Sequence, residues 1–245
     1  MYDPPAYLWV IIIAGPTTVA ALTCIVLYGG AVRSGLGRRR AALLAAAAAA
    51  VFGGWLAASA VIAGHGWYRT LPWFPVAVAG YLGLLLALRQ IPVVARALAA
   101  PGMTSRLELP HTPRVAGVAF LLYMAFGHLP ALFALPAGLG DIAAGIAAPL
   151  VARRLAQGTG RRAALWFNAF GITDLVVALT LGALTGFGLL NVTPSSAPIT
   201  ELPLALIPTA TVPLLFVLHL TAVSVLGRAP RAPLPATTPL TATAE

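Results

Sequence analysis

Seven stretches of this 245-residue chain approach the length that a helix needs to cross a bilayer, and an arginine cluster follows every second one. The stretches are residues 7–29, 41–63, 72–91, 115–134, 136–152, 163–185 and 203–226. A helix rises about 1.5 Å per residue, so a hydrocarbon core of about 30 Å calls for about 20 apolar residues. Hydrophobic residues make up 60% of the chain and charged ones 9%, whereas a soluble domain carries about a quarter charged residues. The fold expected is all-α, a polytopic transmembrane helical bundle of seven spans filling residues 1–228. Residues 229–245 are rich in Pro, Thr and Ala and read as a disordered cytoplasmic tail, because such sequence buries too little apolar area to offset its ordering entropy.

All 15 basic residues are arginines. Arg33 stands with Arg38, Arg39 and Arg40; Arg89 with Arg96, Arg106 and Arg114; Arg153 and Arg154 with Arg161 and Arg162; and Arg228 with Arg231. Only Arg69 falls in the alternate connections. Basic side chains are retained on the cytoplasmic side, so the expected orientation is N-terminus outside and C-terminus inside, in a bacterial inner (plasma) membrane. A formal charge of +9 raises nucleic acid as a partner, but binders of nucleic acid gather their charge on one face. Here it sits at the ends of apolar runs, and the partners expected are anionic lipid headgroups, with a homo-oligomer or a larger membrane assembly also open.

Tyr7, Trp9, Trp67, Tyr68, Trp73 and Phe74 fall at the outer ends and Trp166 at an inner one, as amphipathic rings prefer. Met1 to Ala6 carries Asp3 and no basic residue, so the first stretch reads as a retained span, without the charged region of a signal peptide. Leu129-Pro130 and Leu135-Pro136 interrupt the fourth and fifth stretches, leaving room for a re-entrant element at 129–140. Residues 186–202 read as an outer connector, with an isolated Asn191-Val192-Thr193 glycosylation triplet. Gly182 and Gly186 form a GxxxG, a close-packing signal. Cys24 is alone, which rules out an intrachain disulfide.

Of six acidic residues, Asp141 and Asp174 lie inside predicted spans. An ionisable group in hydrocarbon costs at least about 2.5 kcal/mol, so such residues face protein or a watery cavity and mark function by default. Both sit in Gly-x-x-Asp followed by small or aliphatic residues, a faint inverted repeat. Helix rise places Asp141 about 8 Å and His128 about 10 Å from the outer face, Asp174 near the midplane at about 16 Å, and Asn168 and His219 together near the inner end. The expected pattern is an outer layer of His128 and Asp141, an inner layer of Asn168 and His219, and Asp174 between them. That pattern serves a proton relay or a polar substrate path; ordinary interhelical hydrogen bonding, and an N-cap role for Asp141, explain the same residues. His65 and His111 read as solvated loop histidines, and Glu201 as a cap or interface residue.

No lysine exists for a retinal Schiff base. His128 and His219 differ by about 10 Å in depth, which disfavours a bis-histidine haem. HExxH, a phosphate loop and a Gly-x-Ser-x-Gly elbow are all missing, and no cofactor is expected, while a metal held by His128, Asp141 and Asp174 stays open. Leu-Pro-Ala-Gly-Leu-Gly-Asp (135–141), Trp-Phe-Asn (166–168) and Leu-Pro-Leu-Ala-Leu-Ile-Pro-Thr-Ala-Thr-Val-Pro (202–213) with His219 resemble stretches of uncharacterised bacterial polytopic membrane proteins. The resemblance implies a membrane family and carries no activity. Three readings stand: a bundle that binds or moves protons, ions or a small solute along His128, Asp141, Asn168, Asp174 and His219; an intramembrane enzyme acting on a lipid-like substrate; and a non-catalytic subunit of a membrane assembly.

Overall fold

A computed structural model describes residues 4–228; the expected tail at 229–245 lies outside them. The described residues are helical, with no strand. The helices are α1 (Ala6–Arg33), α2 (Arg38–Gly64), α3 (Trp73–Leu88), α4 (Pro92–Leu98), α5 (Met103–Arg106), α6 (Val118–Ala125), α7 (Ala131–Ala156), α8 (Arg161–Gly186) and α9 (Val212–Arg228). Tighter three-residue turns run over Trp67–Arg69, Leu109–Gly117 and Ala197–Thr200, and a wider π turn over Ile207–Thr211 leads into α9.

Among the described residues, five helices are long and apolar enough to cross a membrane: α1, α2, α7, α8, and the π turn joined to α9. These fit a multi-pass membrane bundle. α3 and α4 also qualify as a pair but bend by 85° between them, at the Ile91-Pro92 step, where the pre-proline residue is driven out of the α region. α4 then passes beneath α1, where a side chain at Gly30 would collide with the Ala97 carbonyl.

The middle of the chain departs most from expectation. α7 runs unbroken from Ala131 through Pro136 to Ala156, so no re-entrant element forms at 129–140. In place of one long helix the fourth stretch holds the 8-residue α6 and the first residues of α7, because Pro110 and Pro113 remove backbone donors and disfavour α geometry just before them. The 3-10 run Leu109–Gly117 leads into α6 and lies antiparallel on α7. Added side chains would strike Leu121 from Gly138 at 2.7 Å, and the Val115 backbone from Gly145 at 2.6 Å. Glycines thus let backbone approach backbone, the usual device for packing where lipid competes equally for apolar surface.

Residues 186–202 are more than a connector. Ile199 is buried against Gly182 and Phe133, Ser196 bonds Thr185 at 2.6 Å, and Gly186 backs onto Ser196. The GxxxG therefore seats a loop, where a partner helix was the usual expectation. Arg69, which stands apart from the four arginine clusters, pairs with Glu201 at 3.0 Å.

Pro213 has no N–H to give the Thr209 carbonyl one turn earlier, and an unpaired carbonyl is costly in a membrane. The Trp55 indole supplies that donor at 2.8 Å. Ser59 bonds the Thr209 hydroxyl at 2.6 Å and Tyr68 at 3.1 Å, and Trp55 stacks on Tyr81 with centroids 4.7 Å apart. These contacts join α2 to the π turn and α3.

Candidate functional site

Glu108, His111, Arg114 and Gly117 are spaced three residues apart, and the segment carrying them has three residues per turn. Side chains at i and i+3 eclipse in such a helix, so the four residues form one straight stripe facing α7, α8 and α9. An α-helix would fan the same spacing around its axis.

Arg114 is the centre. Its side chain is 1% exposed, with Asp141 at 15% and Asp174 at 8%. Its three guanidinium nitrogens go to three residues. Nε donates to Asp141 Oδ1 at 2.7 Å, Nη2 donates to Asp174 Oδ2 across a short contact, and Nη1 donates to His219 Nε2 at 3.2 Å. A planar fork of fixed donors suits this three-way reading, which a lysine point charge could not reproduce.

The network continues inward. Asn168 donates from Nδ2 to Glu108 Oε1 and to the Ala164 carbonyl, each at 2.8 Å, so its Oδ1 accepts from His219 Nδ1–H, also at 2.8 Å. That assignment leaves the lone pair of His219 on Nε2, facing Arg114. His111 is fully buried and stacks on the His219 ring, with centroids 3.8 Å apart and planes 21° from parallel.

Glycines make the room. A side chain at Gly140 would strike Asp174 Oδ1, one at Gly117 would strike the Asp141 side chain, and one at Gly171 would enter the His219 ring. Two cavities of about 30 Å³ each touch Asp141. One lies between α1, the 3-10 run and the π turn; the other extends toward Ile199 in the loop of residues 186–202. Each has room for one or two water molecules.

Asp141, Asp174, Asn168 and His219 therefore meet in one connected network. His128 does not join Asp141 in an outer layer. It sits half-buried in the turn between α6 and α7, and Asp141 is the eleventh residue of α7, about 15 Å of helix beyond that turn. The cause is the earlier start of α7, which carries Asp141 down to the level of Asp174. For the same reason the metal set of His128, Asp141 and Asp174 does not assemble.

Three network residues were not foreseen. Arg114 stood among the cytoplasmic topology markers, His111 among the solvated loop histidines, and Glu108 was given no role, yet all three are buried. His65, by contrast, is exposed. The missed signal was the three-residue spacing beside Pro110 and Pro113, together with two intramembrane carboxylates that lacked a counter-charge.

Residues 71–227 match the family described as Domain of unknown function (DUF8737). The chain belongs to that family. The matched segment contains every residue of the DUF8737 network, while α1 and α2 lie outside it. No curated protein and no solved structure matches the chain.

Proposed function

We propose that this DUF8737 protein passes protons across a membrane through the Arg114-centred network, with Asp141 and Asp174 as the carriers. The observation behind this reading is one guanidinium shared by two carboxylates beside cavities of water size. One positive charge leaves one carboxylate without a counter-charge, and in an apolar surround a proton is the smallest species that neutralises it. The two cavities that touch Asp141 are each of water size, which favours protons over the broader set of solutes. Asp141, the more exposed carboxylate and the one touching both cavities, receives the proton from the outer side. Arg114 positions the pair.

The proposed membrane arrangement keeps seven crossings, with the N-terminus outside and the C-terminus in the cytoplasm of a bacterium. The 3-10 run and α6 make the fourth crossing, since 9 residues and 8 residues rise together by about 30 Å. The third is α3, continued by α4 lying along the cytoplasmic surface. The arginines other than Arg114 and Arg69 then meet anionic headgroups at that surface.

Reconstitution tests this. In vesicles carrying a pH dye inside, an imposed potassium diffusion potential should drive proton entry above protein-free vesicles. Asp174→Asn should abolish that entry while insertion and elution stay normal, and Asp141→Asn should do the same. Wild-type flux no greater than that of empty vesicles, or full flux in both variants, defeats the reading. Neither the intramembrane enzyme nor the non-catalytic subunit is favoured by a specific contact.

A further inference from the structure

We infer that Glu108, His111 and His219 form a binding site for one divalent transition-metal ion of the zinc type. The inference does not depend on proton movement through Asp141 and Asp174.

The donor atoms of these three buried side chains lie within 4.8 Å of one another. Among the described residues, Glu108 Oε2 and both ring nitrogens of His111 have no hydrogen-bond partner. Buried polar atoms are almost always paired, and leaving one unpaired costs about 1–3 kcal/mol. A buried carboxylate oxygen and a neighbouring imidazole left unpaired are poorly explained as helix glue, which would satisfy them. One cation takes Glu108 Oε2 and one ring nitrogen of His111, with a ring nitrogen of His219 as the third donor, because carboxylate oxygen and imidazole nitrogen are both ligands for zinc.

Charge points the same way. Three carboxyl groups, Glu108, Asp141 and Asp174, stand around the single positive charge of Arg114, so acidic groups outnumber the cation already present. Two imidazoles and one carboxylate suit zinc, cobalt or nickel better than magnesium or calcium, which prefer all-oxygen shells. Three protein ligands leave the fourth tetrahedral position open.

The geometry needs a modest closure. Ligand atoms bound at about 2.0–2.2 Å sit about 3.3 Å apart in a tetrahedral site, so the trio must draw together and the stacked rings must fan apart. His111 is the ring to move, since no hydrogen bond is broken when it turns. His219 is already oriented, because Asn168 holds its Nδ1–H and leaves Nε2 as the ligand, the outer-shell arrangement typical of metal-bound histidine. The bond given up is the one from Arg114 Nη1, the longest of its three at 3.2 Å, while the guanidinium keeps both aspartates. The Phe167 ring packs against both imidazoles, with centroids 5.7 and 5.6 Å away.

The test uses the untagged full-length chain in detergent, stripped with a chelator and equilibrated with Zn²⁺. Elemental analysis should find one zinc per chain. Co²⁺ as a substitute probe should give the intense visible absorption of a tetrahedral site. Affinity should fall at least tenfold in His111→Ala and in Glu108→Gln and stay unchanged in His65→Ala. Should His111→Ala not fold, His111→Gln keeps the volume and removes the ligand; a folded His111→Gln that binds like wild type overturns the inference. Zn²⁺ should also raise the thermal midpoint of the wild-type chain where Mg²⁺ does not, and no shift overturns it equally. These are equilibrium measurements without flux, so a failure of proton transport leaves them readable, and the reverse holds too.

Discussion

α2 and the final helix of the bundle are built from similarly apolar sequence, yet they occupy opposite environments. Only 6% of the most apolar window of α2 is buried, against 67% for the π turn and α9. In water such a helix as α2 would be driven inward, but lipid tails are as apolar as leucine and hydrophobicity no longer sorts helices. What separates the two is polarity and fit. Residues 207–228 carry Thr209, whose carbonyl needs a donor, and His219, whose ring enters the gap at Gly171. α2 offers mainly alanine, and its polar ties are Trp55 and Ser59.

The contrast breaks first at Arg114. Arg114→Ala leaves two buried carboxylates facing each other, and losing one partner of a buried charge cluster costs about 3–5 kcal/mol. The variant should unfold at far lower denaturant, measured by titration of the detergent-solubilised chain, and Arg114→Lys should recover only part of the loss. Stability equal to wild type would show that the network is not what holds α7, α8 and α9 together.

Gly171→Ala is next. Its new methyl enters the His219 ring, and overpacking of this kind costs about 1–3 kcal/mol; the same titration reads it. Trp55→Phe removes the donor to Thr209 while keeping an aromatic ring against Tyr81. Interhelical hydrogen bonds in membranes are worth about 0.6 kcal/mol on average, so a small drop in midpoint is expected, with faster amide exchange at the π turn. At the bottom of the scale, Leu43→Ala on the bare face of α2, where Leu43 is 64% exposed, should shift stability by less than about 0.5 kcal/mol. A large effect there would mean that α2 is covered by something other than lipid.

The helical regions and the unusual status of Asp141 and Asp174 were legible in the sequence, because apolar length and buried charge are local signals. Asn168 and His219 were also placed together correctly, since two nearly regular helices keep their depth scales. The scale failed at 115–140. There Pro136 looked like a break, but a proline in a packed transmembrane helix can be accommodated by its neighbours, and α7 passes through it. The resulting shift separated His128 from Asp141. Arg114 was hidden for a related reason. Its charge resembles that of every other arginine, and only a contact with residues 27 and 60 positions away in sequence sets it apart. Glu108 and His111 became meaningful only once the segment adopted three residues per turn.

That stripe also constrains how this segment can vary. Deleting or inserting one residue between Glu108 and Arg114 turns everything beyond it by about 120°, which would point the guanidinium away from both aspartates while every side chain of the network remained in the chain. Apart from His111 and the two prolines, the intervening positions are therefore free in identity to the extent that packing allows, but their number is not. For a sequence passing through this region, length is the inherited quantity.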